Sequence, residues 1–228
     1  MMPVEPVTVT VDDTIRVSGL LQAPPRARGC YLLGHGAGAG MNQPFIADMA
    51  ADLAQRGIAT LRYQFPFMEQ RRRRPDPPKV AHATVRAAVA EGSRLLPDLP
   101  LIAGGKSFGG RMTSQAQAAA PLPHVRGLAF LGFPLHPAGR PSRQRGDHLF
   151  GVELPMLFLQ GTRDALATPE EVEPLCRALG ARATLAWFAD ADHSFHVLAR
   201  SGRTNAEVRI AVADALAAWI DEMIGRRN

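Results

Sequence analysis

Apolar positions along the chain follow two alternating rhythms. Val7 to Val11 alternates with threonine at period two, and Ile15 to Leu21 resumes after Asp12-Asp13. Together these runs predict a hairpin at a sheet edge. Short continuous apolar runs follow at Cys30 to Leu33, Ala59 to Tyr63, Leu101 to Ala103, Leu128 to Phe133, Met156 to Leu159 and Leu185 to Phe188. Runs of that length without polar alternation predict strands buried on both faces.

Between the runs the spacing becomes helical. Pro44 to Gln55 carries Phe45, Ala47, Met49 and Leu53, with Gly57 as a stop. A helix from Asp76 or Lys79 to Leu96 carries Val80, Val85 and Val89, and another runs from Gly110 to Ala119. Thr168-Pro169-Glu170-Glu171 combines a cap, a first-turn proline and first-turn acids, which opens a helix ending before Gly180. Asn205 to Ile224 reads as a long amphipathic helix. Strands alternating with helices imply an α/β protein, with a mostly parallel sheet covered on both faces. No repeat or linker divides the chain, so one domain over residues 1–228 is expected. Ligands on such sheets gather at the carboxyl ends of the strands.

Composition narrows the class. A chain of 228 residues can bury a substantial core without a disulfide or metal, and it has only Cys30 and Cys176. The start, Met1-Met2-Pro3-Val4-Glu5-Pro6, lacks the basic and apolar regions of a signal peptide, and no stretch reaches bilayer-spanning length. A cytoplasmic protein without membrane insertion, monomeric or homodimeric, is expected. The formal charge of +5 is almost wholly arginine, Lys79 and Lys106 being the only lysines. Its one cluster, Arg71 to Arg74, has few interleaved aromatics and precedes Pro75-Asp76-Pro77-Pro78. It reads as a solvated loop, which argues against a nucleic-acid partner.

Chemistry concentrates at the strand ends. Gly105-Lys106-Ser107-Phe108-Gly109 lies between a predicted strand and a predicted helix, the setting of a nucleophile elbow. A Cβ at either flanking glycine would meet neighbouring backbone, and the serine itself is expected to be strained. Asp164 follows the run that begins at Met156, and His193 follows the run ending at Phe188. Serine, acid and histidine in that order suit nucleophilic catalysis. The histidine takes the hydroxyl proton, and the aspartate fixes the imidazole tautomer. Tyr31-Leu32-Leu33-Gly34-His35-Gly36-Ala37-Gly38 leads a strand into a glycine-rich loop. The N–H groups of Ala37 and Phe108 are the expected oxyanion donors.

These segments resemble the α/β-hydrolase superfamily, particularly the dienelactone-hydrolase-like group and its testis-expressed-hydrolase-like bacterial branch. The resemblance rests on Gly34 to Gly38, Arg62-Tyr63-Gln64-Phe65-Pro66, Gly105 to Gly110, Leu159 to Asp164 and Asp192-His193-Ser194-Phe195. It implies an α/β-hydrolase fold and hydrolysis of a small-molecule carboxylic ester or thioester through an acyl-enzyme, with no metal or organic cofactor. Dienelactone hydrolases proper use a cysteine nucleophile where this chain has Ser107, so dienelactone cleavage is not implied. A non-catalytic module on the same fold, or peptidase or acyltransferase activity with the same residues, remains open at this stage.

The competing residues are weighed in the same way. His193 is preferred to His196 as the base, and Asp164 to Asp190 and Asp192 as the acid. His35 is expected to shape the oxyanion loop, and Lys106, His82 and His124 to be structural. Only Pro134 to Glu153 separates two strands where larger relatives insert a lid. No separate lid domain is therefore expected, and His136 and His148 read as hydrogen-bonded loop residues. Phe65, Phe67, Met68, Phe133 and Leu135 follow strand ends and are the candidate substrate-binding residues.

Overall fold

The structure is a computed structural model that describes residues 2–140 and 142–225. Met1, at the head of the N-terminal segment, and Pro141, within the 134–153 connection, lie outside the described residues. Eight strands form one sheet in the order β1-β2-β4-β3-β5-β6-β7-β8. They are β1 (Glu5–Thr10), β2 (Arg16–Gln22), β3 (Gly29–Gly34), β4 (Ile58–Tyr63), β5 (Leu101–Lys106), β6 (Val125–Leu131), β7 (Met156–Gly161) and β8 (Ala183–Phe188). The hairpin β1–β2 and the β2–β4 pair are antiparallel, and every later pairing is parallel.

Six helices accompany the strands among the described residues. They are α1 (Pro44–Gln55), the single turn α2 (Pro66–Glu69), α3 (Pro78–Leu95), α4 (Phe108–Ala119), α5 (Pro169–Leu179) and α6 (Asn205–Gly225). α5 begins with a reciprocal capping box between Thr168 and Glu171, which satisfies two N–H groups that the first turn leaves without intrahelical partners. Among its described residues, the 134–153 connection contains only a short 3-10 segment, Gln144–Gly151.

Strand alternation builds a core on each side of the sheet. Tyr31 and Leu33 of β3 pack with Ile46, Met49 and Leu53 of α1 and with Val208, Val212 and Leu216 of α6. Cys30 and Leu32 point to the opposite core, with Val85 and Val89 of α3, Met112 of α4, and Val172 and Leu175 of α5. Because both faces are covered, β3 and β4 are buried throughout. Chain order reverses between β3 and β5, which lie side by side. The loops leaving their carboxyl ends therefore splay apart and open a crevice above the sheet.

Candidate active site

Ser107 sits in that crevice, at the junction of β5 and α4. Its backbone has φ 50° and ψ −109°, a positive-φ conformation that L-residues with a side chain rarely adopt. Two glycines permit the turn. At Gly105, φ is +144° and a Cβ would stand 2.1 Å from the Gly34 carbonyl oxygen; at Gly109 it would stand 2.3 Å from the same atom. The elbow is thus wedged against the end of β3, with no room for a methyl group on either side of the serine.

His193 reaches Ser107 from the loop after β8. Its Nε2 lies 2.9 Å from Ser107 Oγ, and its Nδ1 lies 2.7 Å from Asp164 Oδ2. Asp164 comes from the loop after β7 and is buried. Its Oδ1 accepts the Leu166 N–H at 2.8 Å, and its Oδ2 also faces Gln160 Nε2 at 3.4 Å. A carboxylate so engaged holds the Nδ1–H tautomer and leaves Nε2 free to accept from the serine. Burial lowers the His193 pKa from its ordinary value; the Asp164 hydrogen bond opposes this, and the Lys106 charge adds to it.

The histidine loop is fastened at three points. Asp192 Oδ1 accepts the N–H groups of Ser194 and His196 at 2.8 and 2.9 Å. Phe195, in a left-handed conformation with φ 62°, is buried and stacks on Phe45 at 5.5 Å between centroids. Lys106 Nζ donates to the His193 carbonyl oxygen. That ammonium is enclosed, and burial pulls its pKa down to about 8. His196 is exposed. Asp190 donates its N–H to Thr162 Oγ1, so neither Asp190 nor Asp192 takes the position beside the imidazole.

The loop after β3 carries His35, Gly36 and Ala37. His35 is fully buried, with Nδ1 2.8 Å from the Gly36 carbonyl oxygen and Nε2 accepting the Phe65 N–H at 3.0 Å. Burial pushes its pKa down to about 4, so it is neutral and ties the loop to the end of β4. Ala37 and Ser107 line the same cavities, and Phe108 is the first residue of α4. The N–H of a first helical residue has no intrahelical partner.

The expected substrate contacts fall elsewhere. Phe65 and Phe67 are buried and pack edge-on against His35 and Phe108, forming a floor beneath the loop. Phe133 packs against Phe130 and Phe158, and Leu135 joins the same core. Met68 is half-buried against that core. The turn α2 folds the chain after β4 back onto the sheet, which directs Phe65 and Phe67 inward. Two cavities adjoin Ser107 instead. One of about 320 Å³ is lined by Gly36, Ala37, Ala39, Gln43, Phe45, Ile46, Lys106, Leu166, His193 and Ser194. The other, of about 370 Å³, lies over the start of α4. A further cavity of about 530 Å³ opens at the opposite ends of β5 and β6, far from this chemistry, and contains Ser93, Asp98 and His124.

Three further histidines, His136, His148 and His82, are engaged. His136 bridges the Pro137 carbonyl oxygen and Glu171 Oε2, at 2.8 and 2.7 Å. His148 Nε2 lies 2.7 Å from Ser114 Oγ, and His82 Nε2 lies 3.3 Å from Gln115 Oε1. His124 is exposed in a positive-φ turn. In the arginine cluster, Arg72 turns back to Asp76, and the four residues are exposed. No helix among the described residues is long and apolar enough to cross a membrane.

Residues 27–221 match the family model of the alpha/beta hydrolase domain. The chain belongs to that family. Its fold is similar to a dienelactone hydrolase from Anabaena variabilis, at TM-score 0.76 and 22% identity over 97% of this chain and 98% of that one. It is similar to an alpha-beta serine hydrolase homologue from Coxiella burnetii, at TM-score 0.75 and 18% identity, covering 95% and 98%. A Xanthomonas campestris protein, described as an α/β serine hydrolase without a lid, matches at TM-score 0.72 and 21% identity, covering 95% and 94%.

Proposed function

We propose that this protein is a serine hydrolase that cleaves a carboxylic ester or thioester through an acyl-enzyme. The observation that carries the reading is the relay from Asp164 through His193 to a serine held on a strained turn, with two bonds of 2.7 and 2.9 Å. Ser107 Oγ attacks the substrate carbonyl carbon as its proton passes to His193 Nε2. The imidazolium that forms stays paired with Asp164. The carbonyl oxygen, now an oxyanion, accepts the N–H groups of Phe108 and Ala37. As the tetrahedral intermediate collapses, Nε2–H protonates the leaving oxygen or sulfur. A water then repeats the sequence on the acyl-serine, giving up its proton to His193, and Ser107 is regenerated.

The lowered His193 pKa keeps the imidazole neutral, and so able to accept a proton, at neutral pH. The test is turnover of a panel of p-nitrophenyl esters and one thioester, with an amide analogue alongside. Ser107→Ala is expected to lower kcat by about 10⁶ if the three residues act as a unit. Near-full esterase activity in Ser107→Ala overturns the assignment.

A further inference from the structure

The two cavities at Ser107 differ in lining: one carries two arginines and an aspartate, the other a single lysine, and only the latter contains His193. His193 must protonate the departing group, so the leaving alcohol or thiol occupies the cavity that His193 lines. Its walls are Phe45, Ile46 and Leu166, and its one cation, Lys106, is held to the His193 carbonyl oxygen by a hydrogen bond. The acyl chain is left with the second cavity, which runs from Ser107 and Phe108 past Arg111, Met112 and Arg145 to Pro134.

Among the described residues neither arginine forms a salt bridge with an acid. Arg111 sits one helical turn beyond the nucleophile, its N–H donating to the Ser107 carbonyl oxygen at 3.1 Å. Its guanidinium lies 5.9 Å from the Phe108 ring centroid, and its Nε is buried without a hydrogen-bond partner. Burial, and after it the charge of Arg145, pull the Arg111 pKa below its ordinary value. The one acid lining the cavity is Asp76. Its Oδ2 accepts the Phe67 N–H, and its Oδ1 is paired with Arg72.

A half-buried guanidinium with an idle N–H costs the fold stability, a cost that a bound anion offsets. The fork of an arginine matches a carboxylate, and the apolar walls strengthen such a contact. We propose that Arg111 and Arg145 bind a carboxylate at the far end of the acyl chain, so that the substrate is a half-ester or half-thioester of a short dicarboxylic acid. This inference rests on the reading of Ser107 as nucleophile.

The test compares monoethyl glutarate with ethyl glutaramate, a neutral isostere, at pH 7.5 by product chromatography. A charge-assisted bond predicts kcat/KM about 10- to 100-fold higher for the half-ester. In Arg111→Met, and separately in Arg145→Met, that ratio should fall towards unity, and raised salt should lower it in the unaltered protein. Equal turnover of both esters by the unaltered protein overturns the anion site alone. Turnover of neither, with Ser107 unreactive to a fluorophosphonate, overturns the hydrolase reading and the anion site together. The unaltered protein's ratio and its salt dependence decide the matter even if one variant fails to fold.

Discussion

Replacing Ser107 by glycine should make the protein more stable than replacing it by alanine. At φ 50° and ψ −109° the serine occupies nearly the mirror image of the first central position of a type II turn. Glycine enters that region freely, whereas any Cβ is strained there by about 1–3 kcal/mol. Both variants lose the hydroxyl and its 2.9 Å bond to His193, so that loss cancels in the comparison. Alanine keeps the strain. Glycine releases it, but its freer unfolded chain returns about 0.4–1 kcal/mol. The net gain of glycine over alanine is then about 1 kcal/mol. For a domain of this size that corresponds to about 2–4 °C in Tm. Differential scanning calorimetry of the two variants measures it directly. A glycine variant that melts below the alanine variant would show that the elbow stores no strain, and the steric argument for Gly105 and Gly109 would fail with it.

Other consequences can be measured in parallel. Gly109→Ala places a methyl 2.3 Å from the Gly34 carbonyl oxygen and 2.8 Å from that of His35, backbone atoms that cannot rotate away; a stability loss of about 1–3 kcal/mol in chemical denaturation is expected. An unchanged midpoint would contradict the close packing of the elbow. Because His193 is shifted down, the acid limb of kcat/KM should lie below pH 6.5, with activity lost as pH falls and the imidazole becomes protonated. Lys106→Gln removes a cation that lowers this pKa, so the limb should move to higher pH; a shift to lower pH would exclude that influence. Burial lowers the His136 pKa, but the Pro137 carbonyl and Glu171 outweigh it and the net shift is upward. The stabilisation is therefore complete below the unfolded value and lost as pH rises through the folded one. Glu171→Gln keeps an acceptor for the α5 cap, so its Tm deficit should be larger at pH 6 than at pH 8.5. An equal deficit at both would mean the ion pair adds nothing.

The scaffold was legible because it follows from local signals. Unbroken apolar runs marked buried strands; five of the six fall within β3, β4, β5, β7 and β8, and the sixth, Leu128 to Phe133, runs two residues past the end of β6. Ser107, Asp164 and His193 were singled out by their places after three parallel strands, where the fold leaves side chains free to converge, and the structure brings the three together. The cavity walls were not legible in that way. A residue just after a strand can face the crevice or the core, and the turn α2 sends Phe65 and Phe67 to the core. Phe45 and Ile46 were expected only as part of a helix, yet the start of α1 brings both to the Ser107 crevice. Gln160 is a buried polar residue inside an apolar strand, an anomaly that signals its place beside Asp164. Arg111 could have been singled out by counting one helical turn from Ser107. Arg145 could not, since it lies in an irregular connection with no periodicity.

The central claim is that Ser107 is a nucleophile activated by His193 and Asp164. Intact-mass and peptide mass spectrometry after fluorophosphonate treatment tests it most directly. One adduct per chain, on the peptide bearing Ser107 and abolished in Ser107→Ala, is the expected result, with His193→Ala reacting far more slowly. An unmodified Ser107 in folded protein, or an adduct on another residue, would contradict it.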